Sequence, residues 1–134
     1  MDFKRFEYKF QVLEHHLDTF GHVNNATYLA LYEEARWDFI TKNGYGLDVT
    51  MNEKKGPVIL DVHCRYKREI INREIITITS QAFEMRGKIG KIKQEMIKEN
   101  GEVASDATFT IGFMDFKERK LITPTDRWLK AVGG

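Results

Sequence analysis

One stretch of this chain has helical periodicity and is apolar round most of its circumference, while nearly all remaining periodicity is that of strands. From about Asn24 to Asn43, Tyr28, Leu31, Tyr32, Ala35 and Phe39 form one stripe, and Leu29, Trp37 and Ile40 widen it. A surface helix needs only one apolar stripe, so this one must be wrapped. Asn43-Gly44 ends it. Before it, Phe3 to Leu13 alternates, with Phe6, Tyr8, Phe10 and Val12 on one side. After a Gly/Asn/Lys-rich connection come four more strand patterns: Val58 to Tyr66, Ile75 to Phe83, Ile89 to Ile97 and Val103 to Phe113. Asn100-Gly101 reads as a two-residue hairpin turn and Arg86-Gly87-Lys88 does similar work one hairpin earlier. Thr123-Pro124-Thr125-Asp126 opens a short closing helix. The expected architecture is α+β: a five-stranded antiparallel sheet curled round a long central helix. Its open edges predict pairing with a second copy, hence a homodimer.

With 134 residues, a single domain over 1–134 is expected. Cys64 is the one cysteine, so no internal disulfide can form. Lys and Arg number 21 against 20 Asp and Glu. That balance gives no global attraction to nucleic acid or to a membrane surface. No apolar run reaches the roughly 18 residues of a membrane span, and Met1-Asp2-Phe3-Lys4-Arg5 lacks a secretory apolar stretch, so a cytoplasmic location is expected.

The polar residues break pattern most sharply just before the helix, in His15-His16-Leu17-Asp18-Thr19-Phe20-Gly21-His22-Val23-Asn24-Asn25. Free backbone N–H groups at a helix start favour developing negative charge. Asp18 lies close enough in sequence to act on a carbonyl held there, either as nucleophile or as the base that activates water. The same residues also suit structural duties: Asn24 or Asn25 as cap, Gly21 as turn, Asp18 as acceptor for loop amides. His22 has no neighbours at the spacing of a zinc site, so no metal and no cofactor are expected. Cys64 shares an apolar face with Leu60, Val62 and Tyr66, which core packing explains.

Asp18-x-x-Gly21-His22-Val23-Asn24-Asn25-x-x-Tyr28, followed by Glu33-Glu34-Ala35-Arg36-Trp37, resembles the signature of the hotdog-fold acyl-CoA thioesterases. It most resembles the long-chain acyl-CoA thioesterase III and 4-hydroxybenzoyl-CoA thioesterase branch, and the order of elements matches over nearly the whole chain. The resemblance implies hydrolysis of an acyl-CoA thioester at sites lying between subunits of a homodimer or a dimer of dimers. It implies Asp18 as the catalytic carboxylate and the Asn25 N–H as the donor to the thioester carbonyl, with His22 beside them and Asn24 and Tyr28 near the substrate. A hotdog enoyl-CoA hydratase would use an Asp and His pair, and a non-catalytic acyl-CoA binding module would keep the pocket alone.

For the coenzyme A phosphates, the resemblance points to the turn holding Arg86 and Lys88, with Arg65, Lys67 and Arg68 as a second cluster and Arg119 and Lys120 as a third. Ile89 stands where many relatives have a serine. Within the helix, Arg36 and Glu33 are placed to pair. Glu33 could instead be a second carboxylate of the site. The acyl chain is expected between helix and sheet, against Leu31, Val62 and Phe109.

Overall fold

The computed structural model describes residues 2–134; Met1, part of the N-terminal reading above, lies outside them. Strand β1 (Arg5–Gln11) leads through a 3₁₀ turn at Glu14–His16 to helix α1 (Asn25–Lys42). A short helix α2 (Leu47–Glu53) precedes four long strands, β2 (Lys55–Tyr66), β3 (Ile75–Arg86), β4 (Ile89–Lys98) and β5 (Val103–Asp115). The two-residue β6 (Lys120–Leu121) and helix α3 (Asp126–Ala131) close the chain. The antiparallel order is β1-β3-β4-β5-β2, with β6 joined to β5. The sheet therefore has six strands rather than five, the extra one being too short to show a period.

α1 lies in the curl of this sheet, with Tyr28, Leu31, Tyr32, Ala35, Phe39 and Ile40 buried. Phe39 stacks on Phe6 of β1 at 4.6 Å and Tyr32 meets Phe109 of β5 edge-on at 5.9 Å, so the helix touches strands from one side of the sheet to the other. α2 occupies the segment expected to be a mere connection. Two turns of helix give too short a pattern to rise above its Gly and Lys content.

Two local readings are corrected. The turn between β4 and β5 has three residues, Glu99-Asn100-Gly101, because Lys98 pairs with Glu102 and Gly101 sits at φ +91° as the left-handed closing residue. On β2, a bulge between Ile59 and Asp61 reverses the alternation. Ile59 thereby faces the helix beside Arg36, whereas Leu60 lies on the opposite face, near Leu121 and Gly112.

The layer between helix and sheet is polar at its centre. Arg36 Nη1 donates to Gln94 Oε1 (3.0 Å), and Gln94 Nε2 donates to Ser80 Oγ (2.9 Å) and to the Tyr32 carbonyl (3.0 Å). Tyr32 Oη donates to Ser105 Oγ at 2.7 Å. The Arg36 guanidinium also lies 4.1 Å from the centre of the Phe109 ring. Arg36 is therefore not paired with Glu33, which points to solvent. Burial lowers the Arg36 pKa to about 10, with the Glu33 charge opposing that shift. This network fills the space expected to hold an acyl chain: Leu31 and Phe109 are buried within the core, and only Val62, on the open edge of β2, is accessible.

Candidate active site

His16 holds the approach to α1. Its Nδ1 accepts the Leu13 N–H (2.9 Å), its ring meets Phe10 edge-on, and its carbonyl accepts the Asn24 N–H at 2.9 Å. Burial lowers its pKa, and the neighbouring His15 adds to the effect.

The loop that follows is closed on itself. The Asp18 N–H donates to the His22 carbonyl (2.8 Å), while Asp18 Oδ1 accepts the N–H groups of Phe20 (2.8 Å) and His22 (3.3 Å). Gly21, at φ +80°, allows the tight return. Asp18 thus performs the structural duty open to it with one oxygen. Its Oδ2 has no partner among the described residues, and Asp18 lines a cleft of about 320 Å³.

Across that cleft α1 begins. Asn24 is the N-cap at φ −62°, ψ 139°, and its side chain accepts the Ala26 N–H at 2.9 Å. The Asn24 carbonyl accepts the N–H of Thr27 (2.9 Å) and of Tyr28 (3.4 Å). Those two bonds polarise the peptide unit whose N–H belongs to Asn25, and that N–H has no partner among the described residues. Asn25 lines the same cleft as Asp18. The Asn24 side-chain oxygen serves the helix cap.

Tyr28 and Tyr66 form the aromatic wall, edge-on at 4.8 Å. Burial pushes the Tyr28 hydroxyl up to about 12 and also raises Tyr66, with Cys64 adding to the latter. Both stay protonated at neutral pH. At the rim, His22 Nε2 lies 2.7 Å from Glu69 Oε2. Asp18, His22, Asn25 and Tyr28 are thereby brought together, joined by Tyr66 and Glu69. Those two come from the far end of β2 and the loop beyond it, so no local spacing marked them.

The basic candidates divide. Arg65 makes a two-pronged contact with Asp106 (2.9 and 2.8 Å), and Lys67 Nζ lies 2.8 Å from the same carboxylate. Hydrogen bonds from Arg65, then Lys67, pull Asp106 down to about 2. Arg65 is thus occupied outside the cleft, whereas Lys67 and Arg68 border it. Arg86 and Lys88 lie at the opposite end of β3, roughly 35 Å along the strand from the Asp18 end. There Arg86 borders a separate hollow of about 210 Å³ with Thr123, Pro124 and Leu129. Lys120 belongs to β6 beside Asp115. Among the described residues, no group of three His, Cys, Asp or Glu side chains gathers as a metal site. No helix among them is long and apolar enough to cross a membrane.

A sheet curled round one long helix, with polar side chains gathered in the loop that enters the helix, is a hotdog fold. Residues 12–132 match the family described as the thioesterase-like superfamily, and the chain belongs to it. It is 34% identical over 113 residues to the long-chain acyl-CoA thioesterase FadM of Escherichia coli, covering 84% of this chain and 85% of that one. Among solved structures, the probable thioesterase YbaW of Escherichia coli matches with a TM-score of 0.84 at 30% identity, over 96% of this chain and 98% of its own. A Staphylococcus aureus protein solved in complex with CoA shares the fold, with a TM-score of 0.90 at 18% identity, over 98% of this chain and 84% of its own.

Proposed function

We propose that this domain hydrolyses acyl-CoA thioesters with medium to long fatty chains, giving free acid and coenzyme A, in the cytoplasm. The observation that carries the reading is that Asp18 and Asn25 line one cleft, the first with a carboxylate oxygen and the second with an N–H that have no partner among the described residues. The thioester carbonyl oxygen accepts from the Asn25 N–H, which stabilises the negative charge that builds there. Asp18 Oδ2 either attacks the carbonyl carbon, forming an anhydride that water then cleaves, or takes a proton from the attacking water. In both routes the C–S bond breaks and sulfur leaves as a thiolate. A thiol pKa near about 8.5 makes a strong general acid unnecessary. The relative FadM, named as a long-chain enzyme, supports the fatty chain.

A second copy completes the site in this reading. β2 is an edge strand of 12 residues with Ile59, Val62 and Tyr66 exposed. Such an edge invites pairing. Two β2 strands paired antiparallel about a two-fold axis bring the Arg86 end of one sheet to the Asp18 end of the other, so Arg86 and Lys88 of the partner reach the coenzyme A phosphates. Val62, accessible on the open edge of β2, then marks the side on which the acyl chain is received once the partner covers that edge.

A thiol-release assay across acyl-CoA chain lengths, including an aromatic thioester, tests the reaction. Thiol release that peaks on fatty chains supports the reading. Loss of enoyl absorbance without thiol would mark a hydratase, and binding without either would mark a carrier; both outcomes overturn it.

A further inference from the structure

Tyr66 is half exposed, at 51%, and stands on the last position of an edge strand, yet its hydroxyl is committed to one backbone atom. Tyr66 Oη donates to the Asn25 carbonyl at 3.0 Å. The ring is held edge-on by Tyr28 from the helix itself. Asn25 is the first residue of α1, where the backbone has fewer intrahelical bonds than further along and frays most readily. Its N–H and its carbonyl flank a single Cα. A tether on the carbonyl therefore restricts rotation of the whole residue and fixes the direction in which the N–H projects. The cap holds Asn24 and Ala26; the bond from Tyr66 is what anchors residue 25 to the sheet.

We propose that Tyr66 is a positioning residue for thioester hydrolysis, aiming the Asn25 N–H at the carbonyl oxygen by clamping the first helical residue to the end of β2. The inference rests on the reading of that N–H as the oxyanion donor. The donor works only when preorganised toward charge that develops in the transition state, so loosening it lowers kcat and leaves substrate binding nearly intact.

The experiment is a double-mutant cycle with Tyr66→Phe and Asn25→Pro in the full-length protein, followed by thiol release. Phe keeps the ring and its contact with Tyr28 and removes only the hydroxyl. Pro removes the N–H but keeps the carbonyl that Tyr66 binds. Tyr66→Phe is expected to lower kcat about tenfold with KM changed less than about twofold, and to do nothing further in the Asn25→Pro background. An unchanged kcat in Tyr66→Phe overturns the proposal, as does a rise in KM alone, which would mean a substrate contact. A further loss of the same size in the Asn25→Pro background also overturns it. If Asn25→Pro itself retains full kcat, the donor reading fails, and that outcome is distinct from a silent Tyr66→Phe beside an impaired Asn25→Pro.

Discussion

Asp18 and His22 are joined by two hydrogen bonds, one from the Asp18 N–H to the His22 carbonyl and one from the His22 N–H to Asp18 Oδ1. One carboxylate oxygen builds the loop, and the other, without a partner among the described residues, is the one proposed to act on the thioester. Asp18→Asn keeps an oxygen for the loop amides and removes the negative charge. We expect thiol release to fall by about 10²–10⁴-fold with the melting temperature unchanged. Asp18→Ala loses both anchors and should also cost about 1 kcal/mol in urea unfolding.

The donor at Asn25 can be deleted genetically because it is the first helical position, where proline fits. The preceding residue must be extended, and Asn24 already is, at ψ 139°. Asn25→Pro should therefore fold with unchanged far-UV circular dichroism while kcat drops by about 10²–10³-fold. Retained turnover would remove the backbone donor from the mechanism.

Subunit mixing checks the composite site. Asp18→Asn and the double variant Arg86→Ala, Lys88→Ala should each be weak alone. Unfolded together and refolded, half of the dimers are hybrids with one intact site, so roughly a quarter of wild-type activity should return. No recovery would mean that the basic turn serves its own subunit or none.

Gln94 carries the acceptor that Arg36 needs, and Arg36 is only 7% exposed. Gln94→Leu strands that charge and should destabilise the fold by about 3 kcal/mol. Adding Arg36→Met should restore at least about 1 kcal/mol of it, because the charge goes too. Chemical denaturation at fixed protein concentration decides between this and simple additivity.

Asp106 sets an acid limb. Its carboxyl lies at about 2 in the folded chain against an ordinary 3.8. The stability it contributes is fully present above the unfolded value and is lost as pH falls through the folded one. Melting temperature should decline between about pH 5 and 2 in the parent and decline less steeply in Asp106→Asn.

Much of the fold was legible because period alone carries it. Phe6, Tyr8 and Phe10 alternate, and the stripe from Tyr28 to Phe39 repeats, so strand and helix followed from covalent geometry. The motif before α1 marked Asp18, His22 and Asn25 because they are neighbours in sequence. What stayed hidden depends on distance through space. Tyr66 reaches the helix start only once β2 has paired with β5, and Arg65 is taken by Asp106 from across that same ladder. Arg36 found Gln94 on a strand rather than Glu33 one turn away, since the buried side of the helix offered an amide and the exposed side only water. The bulge at Leu60 likewise has no signature in residue type.

The amide left open at the start of α1 has no part in holding the helix together, since cap and first turn are already satisfied around it by Asn24. With that amide as the proposed donor, durability and reactivity are therefore not in competition at that point. Substitutions that toughen the helix entrance by strengthening the cap can accumulate without dulling the enzyme. Conversely, a variant that blunts the enzyme there can pass every test of heat resistance.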